Sequence, residues 1–309
     1  MITTRSSTPI SRDCPVCHSR EAKELLRKQD LRLVQCGQCA MVYADPIDEG
    51  WATGLFYDQL AQPYYLSPDK VDSDYAPVRF ERELKLFRRS CRQGSVLDVG
   101  CSTGAFLFQL KTRFPADYEI LGNDVAGPAL DYAEKKGVPV LRESFFSLSA
   151  AGKRFSAITF WAVLEHLASP GDFLRKAAEL LEPGGFCFIL VPNFESLARR
   201  LLGAKYRYIF PQHVNYFTRD TLARLVNGVE DFRMVQVGST HFNPVVIWQD
   251  WKGRGEFVPD EQRAHLLRQT TAYKRNPILR PLKALLAGFE VGLARLNLAD
   301  NTVLVLQKA

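Results

Sequence analysis

Residues Val96–Phe106 read VLDVGCSTGAF, a short apolar strand, a turn of small residues and the start of a helix. Small residues in such a turn let a ligand approach the backbone, and the amides at a helix N-terminus face negative groups. No Lys-Ser/Thr pair follows the turn, which excludes a Walker A phosphate loop. Gly100, Ser102 and Ala105 form a degraded dinucleotide fingerprint, so the turn alone leaves nucleotide binding open.

Strand and helix patterns alternate on both sides of this turn. The predicted strands are Ser95–Val99, Glu119–Asp124, Ala157–Trp161, Phe186–Val191, Arg233–Gly238 and Asn301–Gln307. The predicted helices are Pro77–Arg92, Ala105–Arg113, Ala129–Lys136, Pro170–Leu181 and Arg219–Asn227. This alternation predicts an α/β fold with a mostly parallel sheet and helices on both faces.

The composition is that of a soluble globular protein, with 46% hydrophobic and 24% charged residues among 309. These values argue against a disordered, collagen-like or integral membrane protein. No apolar stretch of about 18 residues is present, so no spanning helix is expected. The first residues, MITTRSSTPISRDC, lack the apolar core of a secretory signal. We therefore expect a cytoplasmic protein.

Four of the seven cysteines form two pairs, Cys14/Cys17 and Cys36/Cys39, with 18 residues between the pairs. Two residues between thiolates let a tight turn direct both sulfurs at one ion, and two such turns complete a tetrahedron. Nothing indicates secretion, which favours zinc over disulfides. His18 could compete as a ligand, but four thiolates make it unnecessary. Residues 1–46 are thus predicted to be a zinc ribbon with a closed, structural metal site, able to unfold without the following domain.

Two further segments carry a family resemblance. The first reads FSAITFWAVLEHLASPGDFLRKAAELLEPGGFCFILVPN from Phe155 to Asn193, and the second PQHVNYFTRDTLARLV from Pro211 to Val226. With VLDVGCSTGAF they resemble the class I S-adenosylmethionine-dependent methyltransferases, specifically a bacterial group with an N-terminal zinc ribbon. The resemblance covers nearly the whole chain. It implies linker and lid helices at 47–92 and a Rossmann-like methyltransferase domain at 93–309, with a helical insertion at about 250–299 before the last strand.

The resemblance also implies which residues bind S-adenosylmethionine. Asp98 is expected near the ammonium group, and Gly100 and Gly104 should let the methionine end lie over the turn. Asp124, at the end of the second strand, should accept hydrogen bonds from both ribose hydroxyls, because a carboxylate offers two acceptor oxygens. The other expected cofactor-binding residues are Ser102, Ser144, Phe145 and Trp161. Trp161 would flank the sulfonium by cation–π attraction, unless it is only a packing residue.

Two positions depart from the family pattern. Ser102 replaces the middle glycine of the commonest loop, which is tolerable if that residue does not need a positive φ. Ala162 stands where many relatives have an acidic residue after the fourth strand, so a contact there is not expected.

Two histidines are candidate catalytic residues. Methyl transfer is an in-line displacement, so positioning supplies much of the acceleration, and an acceptor that loses a proton benefits from a nearby base. His213 lies in QHVNYF, on a segment expected to cap the pocket, and His166 lies in LEH at a helix start. Both also have a purely structural interpretation. Glu165 either orients His166 or stabilises the helix N-terminus by its charge.

The leading functional hypothesis is methyl transfer to a small-molecule acceptor, an oxygen of a sugar, quinone-like or lipid-linked intermediate. The resemblance to ubiquinone-pathway O-methyltransferases through the LEH and QHVNYF segments favours oxygen. An RNA methyltransferase guided by the ribbon is an alternative, but residues 1–45 carry seven basic and five acidic residues, no strong nucleic-acid signal. A non-catalytic scaffold with a partner-docking ribbon is a third, disfavoured by intact Asp98, Gly100, Gly104 and Asp124. A monomer and a homodimer remain equally open.

The segment 268–298 is basic and amphipathic. Apolar residues recur at three- and four-residue steps from Ile278 to Leu298, which predicts a helix with one apolar face. This face would pack against the sheet or a second subunit, or it would lie on the inner membrane surface. In the membrane hypothesis, the residues that meet anionic headgroups are Arg268, Lys274, Arg275, Arg280 and Lys283.

Overall fold

A computed structural model describes residues 9–149, 152, 154–253, 255–275 and 280–309. The N-terminal part contains the two cysteine pairs and five short strands. These strands are β1 (Pro9–Ile10), β2 (Ala22–Lys28), β3 (Leu31–Cys36), β4 (Val42–Ala44) and β5 (Ile47–Asp48). Strands β2 and β3 form an antiparallel hairpin between the two cysteine pairs, and β1 pairs with β5.

Helical segments follow the ribbon and lead to the main sheet. They are α1 (Glu49–Thr53), α2 (Leu55–Leu60), a π-helical turn (Ala61–Tyr65), α3 (Pro68–Asp74) and α4 (Glu81–Ser90). Asp48 caps the N-terminus of α1, where its side chain accepts a hydrogen bond from the Gly50 amide. Gly54, with a φ of 83°, caps the C-terminus. Glycine is the residue that adopts this left-handed conformation without strain, so the chain can turn directly into α2.

The central sheet has seven strands. In chain order the remaining strands are β6 (Gly94–Val99), β7 (Tyr118–Asn123), β8 (Val140–Leu141), β9 (Phe155–Trp161), β10 (Leu181–Pro192), β11 (Asn215–Tyr216), β12 (Phe232–Thr240) and β13 (Asn301–Lys308). The order across the sheet is β12-β13-β10-β9-β6-β7-β8. Strand β13 runs antiparallel to both its neighbours, whereas β6 to β10 are mutually parallel. The carboxyl ends of five parallel strands therefore meet at one edge.

Alternate residues of the central strands face opposite sides of the sheet, as the period of two requires. Leu97 and Ile158 belong to one buried cluster, and their neighbours Val96 and Ala157 to another. Helices therefore cover both faces, as the alternating pattern predicts. Those that follow α4 are α5 (Ala105–Arg113), α6 (Gly127–Lys135), α7 (Pro170–Leu180), α8 (Leu197–Leu202), α9 (Arg219–Asn227), α10 (Pro244–Lys252), α11 (Asp260–Arg275) and α12 (Arg280–Arg295).

Strand β10 begins earlier than predicted. The sequence predicts a helix that ends at Leu181 and a strand that begins at Phe186. The structure includes the intervening Glu182–Gly185 in the strand Leu181–Pro192, with a shift in the pairing with β9 between Leu181 and Phe186. Helix α7 does end before them, at Leu180. The Pro-Gly-Gly segment therefore acts as an irregularity within the strand rather than as a separate connection.

The ribbon shares a sheet with the rest of the chain. Strand β4 pairs antiparallel with β11, so the four-stranded sheet has the order β11-β4-β3-β2. Met41 and Tyr43 are buried in the same apolar cluster as Phe217 and Leu222. Phe217 lies just before α9, and Leu222 lies in its first turns. Although the sequence predicts an independent ribbon, its last strand and its core are continuous with the larger domain.

The helical insertion before the last strand consists of α10, α11 and α12. Arg268, one of the residues expected to meet lipid headgroups, instead pairs with Asp69 of α3 at 2.8 Å. The side chains of Lys274, Arg275, Arg280 and Lys283 and the predicted helix start at 276–279 lie outside the described residues. Among the helices that are described, none has both the length and the hydropathy to cross a bilayer.

Candidate active site

The turn after β6 lies at the carboxyl edge of the sheet, and two glycines shape it. Gly100 has a φ of 73° and Gly104 a φ of 75°. A Cβ on Gly100 would lie 2.6 Å from Val163, and one on Gly104 3.0 Å from Ala133. Both positions therefore exclude larger residues through backbone conformation and contact with neighbouring protein atoms. The amide of Gly100 also donates to the Asn123 carbonyl of β7 at 2.7 Å, which holds the turn against the adjacent strand end.

Two carboxylates flank this turn, Asp98 buried and Asp124 half-buried. Asp98 is 3% exposed and accepts a hydrogen bond from Thr159 Oγ1 at 2.5 Å. Burial raises its pKa to about 7, an effect that the nearby Asp124 reinforces and the Thr159 hydroxyl opposes. Burial also raises the pKa of Asp124. An acid held partly neutral in this way gains most from a positively charged partner, because a cation favours the ionised form.

Asp124 is fixed by backbone amides. Its Oδ2 accepts from the Ser102 amide at 2.7 Å, and its Oδ1 from the Ala126 amide at 2.9 Å. Each oxygen retains a second lone pair, so the carboxylate can also accept from two ligand hydroxyls.

Ser102 has a positive φ, the conformation in which a serine in place of glycine is strained. Its φ is 50°, so the position that is glycine in the commonest loop has a left-handed backbone here as well. The contact of its amide with Asp124 maintains this conformation, while its Oγ is buried without a hydrogen-bond partner. Ala162, the other departure from the family pattern, has a φ of 59°. Ser102 and Ala162 thus both carry a Cβ at a left-handed backbone position, and only at Ser102 does the commonest loop have a glycine instead.

Ser144 and Phe145 follow β8 and make contacts within the protein. The Ser144 side chain caps a short 3-10 helix, accepting from the Phe146 amide at 3.3 Å. Phe145 is 4% exposed, with its ring stacked on Phe173. Trp161, at the end of β9, packs edge-on against Phe106, and its Nε1 is buried without a partner. Trp161 therefore has a packing role and retains an unused donor.

His166 and His213 lie next to each other, with ring centroids 4.7 Å apart. Nδ1 of His166 lies 2.9 Å from the Gln212 carbonyl, and Nδ1 of His213 lies 3.0 Å from the Tyr208 carbonyl. A carbonyl only accepts, so both Nδ1 atoms carry the hydrogen and both Nε2 atoms are the basic positions. Each Nε2 lies 4.0 Å from Oε1 of Glu165.

Burial sets the charge of this cluster. It lowers the pKa of His166 to about 4 and the pKa of His213 well below its usual value, so both rings are neutral at pH 7. It raises the pKa of Glu165 to about 8. Both Glu165 oxygens are buried without a hydrogen-bond partner. The three side chains together could also bind one cation, since their ligand atoms lie within 4.8 Å of one another.

Tyr57, which the sequence analysis did not select, joins the two halves of the site. Its hydroxyl is buried without a partner, and its ring lies edge-on to His166 with centroids 5.9 Å apart. Burial raises its pKa, and the negative charges of Glu165 and Asp124 add to this effect. A cluster of aromatic residues in a predicted linker is the signal that could have identified it.

Two residues near Tyr57, Gly54 and Asp58, lie against the loop that follows Asp124. Asp58 Oδ1 accepts a hydrogen bond from the Gly127 amide at 2.8 Å. A Cβ on Gly54 would lie 3.3 Å from Val125. Helices α1 and α2 thus cover the loop that follows Asp124, and they hold Tyr57 over it.

The four ribbon cysteines converge, as their spacing predicts. The Sγ atoms of Cys14 and Cys39 are 3.4 Å apart and those of Cys17 and Cys36 are 3.5 Å apart, whereas a disulfide requires about 2.0 Å. All four lie within 4.8 Å of one another. His18 is not a member of this described group. Each pair is followed by a left-handed residue, His18 with a φ of 59° and Ala40 with a φ of 62°, so both turns have one geometry.

This sheet order, with one antiparallel strand and a glycine turn between two carboxylates at the parallel edge, defines the class I methyltransferase fold. The sequence model of a family described as "Methyltransferase domain" matches residues 74–237, more than half of the chain. The chain belongs to this family.

Curated relatives match a shorter segment. A ubiquinone biosynthesis O-methyltransferase of Cereibacter sphaeroides is 34% identical over 119 residues, 36% of this chain and 47% of that protein. One from Dinoroseobacter shibae has the same identity and coverage. The chain spans about half the length of the curated relatives it matches.

Solved structures are similar to the chain at low sequence identity. A possible histamine N-methyltransferase from Thermotoga maritima is 16% identical with a TM-score of 0.49, covering 77% of this chain and 92% of that one. The N-methyltransferase NodS from Bradyrhizobium japonicum, solved with S-adenosylhomocysteine, is 14% identical with a TM-score of 0.48, covering 82% and 98%.

Proposed function

We propose that this protein transfers a methyl group from S-adenosylmethionine to an oxygen of a small-molecule acceptor. The observation that carries the proposal is that the glycine turn and the Glu165–His166 pair are adjacent, since a Cβ on Gly100 would lie 2.6 Å from Val163, two residues before Glu165. Methyl transfer to a protonated acceptor requires a donor site close to acid–base groups.

The residues of the glycine turn fit the proposed cofactor. An ammonium partner would stabilise the ionised form of Asp98, whose pKa is raised by burial. Asp124 has lone pairs for two hydroxyls, and the buried Oγ of Ser102 has no described hydrogen-bond partner. Orphaned buried polar atoms are rare in proteins, so they indicate a ligand that satisfies them. When bound, S-adenosylmethionine supplies an electrophilic methyl group on a sulfonium. Gly100, Gly104, Ser144, Phe145 and Trp161 complete the proposed binding residues.

His213 is the proposed general base. Its Nε2 has no proton in the assigned tautomer and is the atom that would accept the proton from the acceptor hydroxyl. A buried imidazolium is costly, and Glu165, 4.0 Å away, stabilises that charge only in its ionised form, which is the minority form at pH 7 because burial raises its pKa to about 8. His166 faces the same carboxyl from the other side, and is proposed to share this role.

Zinc is the proposed occupant of the four-cysteine site. Thiolates are its preferred ligands in structural sites, and a tetrahedron of them has no open position for water. The zinc would therefore stabilise the ribbon and take no part in the reaction. Metal analysis of the purified protein tests this, because one zinc per chain supports it and disulfides among these cysteines would exclude it.

The quinone-like class is the favoured acceptor, on the 34% identity with ubiquinone biosynthesis O-methyltransferases. Sugars and lipid-linked intermediates are the other classes to test. An RNA methyltransferase guided by the ribbon is a separate alternative.

Transfer of a radiolabelled methyl group into fractionated cell extracts tests the function. Asp124→Ala is the matched control, since it removes the ribose acceptor and leaves the histidine cluster intact. We expect label in a small-molecule fraction with the wild-type protein only. Label that is lost after ribonuclease treatment would favour RNA. Tight cofactor binding without label in any fraction would instead support a non-catalytic scaffold.

A further inference from the structure

The turn Leu164–Ala168 carries Glu165 and His166, and donors from distant parts of the chain hold it. Four of its five carbonyl groups accept hydrogen bonds from outside the turn. The contacts are Asn215 Nδ2 to Leu164 O at 2.8 Å and to Leu167 O at 2.7 Å, the Val214 amide to Glu165 O at 2.8 Å, and Arg12 Nη2 to Ala168 O at 2.9 Å. A short turn has few bonds of its own, so these contacts determine where its side chains point.

Arg12 reaches the turn from the ribbon. Its Nη2 donates to Ala168 O and to Asn215 Oδ1, both at 2.9 Å, and its Nη1 lies 3.5 Å from Val214 O. The guanidinium thus lies among two backbone carbonyl groups and a side-chain amide. Removing a charged group from water to such a position costs desolvation energy that packing alone does not require. The contacts it makes therefore point to a function for this burial.

The contact with Arg12 also fixes the orientation of the Asn215 amide. An arginine only donates, so the atom facing it must be the amide oxygen. The two hydrogens on Nδ2 are then directed at Leu164 O and Leu167 O, which lie on either side of Glu165 and His166. Without the arginine, the amide could rotate and present its oxygen to two carbonyl groups, an arrangement without a hydrogen bond.

We propose that Arg12 and Asn215 are positioning residues, through which the zinc ribbon holds the Glu165–His166 turn in its reactive geometry. Arg12 lies two residues before Cys14, and Asn215 lies in β11, where it pairs with Tyr43 of β4. The ribbon is thus one wall of the acid–base cluster. That this geometry is the reactive one rests on the proposed function, whereas the contacts are features of the structure.

Three variants test the proposal. Asn215→Asp keeps the acceptor for Arg12 but replaces the two donated hydrogens with an oxygen. Arg12→Met keeps an unbranched apolar side chain in place of the aliphatic part of arginine and removes its donors. Arg32→Met is the matched control, because the described side-chain hydrogen bonds of Arg32 both go to Asp45, from its Nε at 2.6 Å and its Nη2 at 2.9 Å. Asp45 also accepts from the Arg12 backbone amide at 3.0 Å, so this variant disturbs the same part of the ribbon and leaves the Arg12 guanidinium in place. Arg12→Lys, which keeps a charged donor, should restore part of any loss.

Nitrogen NMR signals of the histidine side chains and amide exchange of residues 164–168 provide the first readout, which needs no acceptor. We expect shifted His166 and His213 signals and faster exchange in Asn215→Asp and Arg12→Met, and neither in Arg32→Met. Once an acceptor is known, kcat should fall at least about 10-fold, with less than a twofold change in the cofactor Kd, since small displacements of reacting groups cost rate rather than binding.

Unchanged signals and exchange in both test variants would overturn the proposal, as would equal changes in Arg32→Met. Changed signals with an unchanged kcat would also overturn it, because the turn would then be displaced without consequence for the reaction. Should the wild-type protein transfer no methyl group to any acceptor, the proposed function would fail. The spectroscopic comparison would still decide whether Arg12 and Asn215 hold the turn.

Discussion

The two halves of the site are built in opposite ways. The glycine-turn half lies between Asp98 and Asp124, 26 positions apart, and backbone amides fill much of its hydrogen bonding. The histidine half combines Arg12, Tyr57 and the Glu165–His166 turn with the segment around His213, and the first and last of these lie about 200 positions apart. It also holds the unpartnered oxygens of Glu165 and Tyr57.

This difference indicates how each half responds to change. A half built from neighbouring residues is stabilised by its own strand ends, so a substitution there should alter ligand affinity and little else. A half assembled from distant segments depends on every segment, so a remote change in the ribbon should reach the histidines. Four predictions test this comparison, from the largest expected effect to the smallest.

Loss of zinc should have the largest effect, and it should fall on the histidine half. Structural zinc contributes on the order of 10 kcal/mol to the folding of small ribbons, and here the ribbon sheet continues into β11. We expect chelation, or Cys36→Ser, to abolish turnover and to lower Tm by about 10 °C or more. The sequence alone predicts that the larger domain would be spared, and the shared sheet changes that expectation.

Thermal unfolding and turnover before and after chelation measure this effect, and restored turnover on adding zinc is the control. Full turnover in a protein shown by metal analysis to lack zinc would mean that the histidine half does not depend on the ribbon.

His213→Ala should reduce turnover about 100-fold without changing cofactor affinity, as expected when a general base is lost. The ring is buried and makes one hydrogen bond, to the Tyr208 carbonyl, so its removal leaves the glycine turn untouched. Steady-state kinetics and calorimetry separate the two quantities. His265→Ala, which changes a half-exposed ring on α11, is the control. A rate within a few-fold of wild type would make His213 a structural residue.

Asp124→Ala should weaken cofactor binding about 10- to 100-fold, because a charged hydrogen bond contributes about 1.5–3 kcal/mol and water replaces part of it. The histidine signals should stay unchanged, since the described hydrogen bonds of the carboxylate go to the backbone of Ser102, Val125 and Ala126 and to none of the histidine cluster. Calorimetry measures the affinity. An unchanged Kd would place the ribose site elsewhere, and altered histidine signals would contradict the separation of the two halves.

Cofactor affinity should fall about five- to tenfold between pH 7.5 and pH 6. The pKa of Asp98 is about 7 in the free protein, so the group is mostly protonated at pH 6 and mostly ionised at pH 7.5. A bound ammonium favours the ionised form, so binding at pH 6 must release a proton and is weaker there.

Calorimetry in buffers with different ionisation enthalpies measures the released proton. Asp98→Asn has no proton to release, and should bind with the same affinity at both pH values. An equal pH dependence in this variant would assign the proton to another group.

The features that the sequence predicts well are local ones. Asp98, Gly100, Gly104 and Asp124 lie at strand ends, and parallel strands bring such ends to one edge whatever the details of packing. The cysteine pairs were predictable for the same reason, since two residues between thiolates fix a turn. The left-handed conformation of Ser102 was not, because it follows from a hydrogen bond to a residue 22 positions away.

The features that the sequence does not reveal are pairings between distant segments. Nothing in the pattern of β4, with three residues, or β11, with two, shows that they are neighbours. Arg12 is one basic residue among several in the ribbon, and only its burial beside Asn215 distinguishes it. Hydrophobic periodicity indicates which face of an element is buried, and it carries no information about which distant polar group lies opposite.

The hydrogen bond between Asp58 and Gly127 has a consequence for the timing of the catalytic cycle. Helices α1 and α2 are anchored to the ribbon on one side and to α3 on the other, and this bond latches them over the loop after Asp124. In the proposed function, opening of this latch would accompany release of the spent cofactor. Segments of this kind open in microseconds to milliseconds, and product release then limits many enzymes. The hydrogen bond of Asp58 Oδ1 on α2 would thus contribute to the rate-limiting step of each turnover.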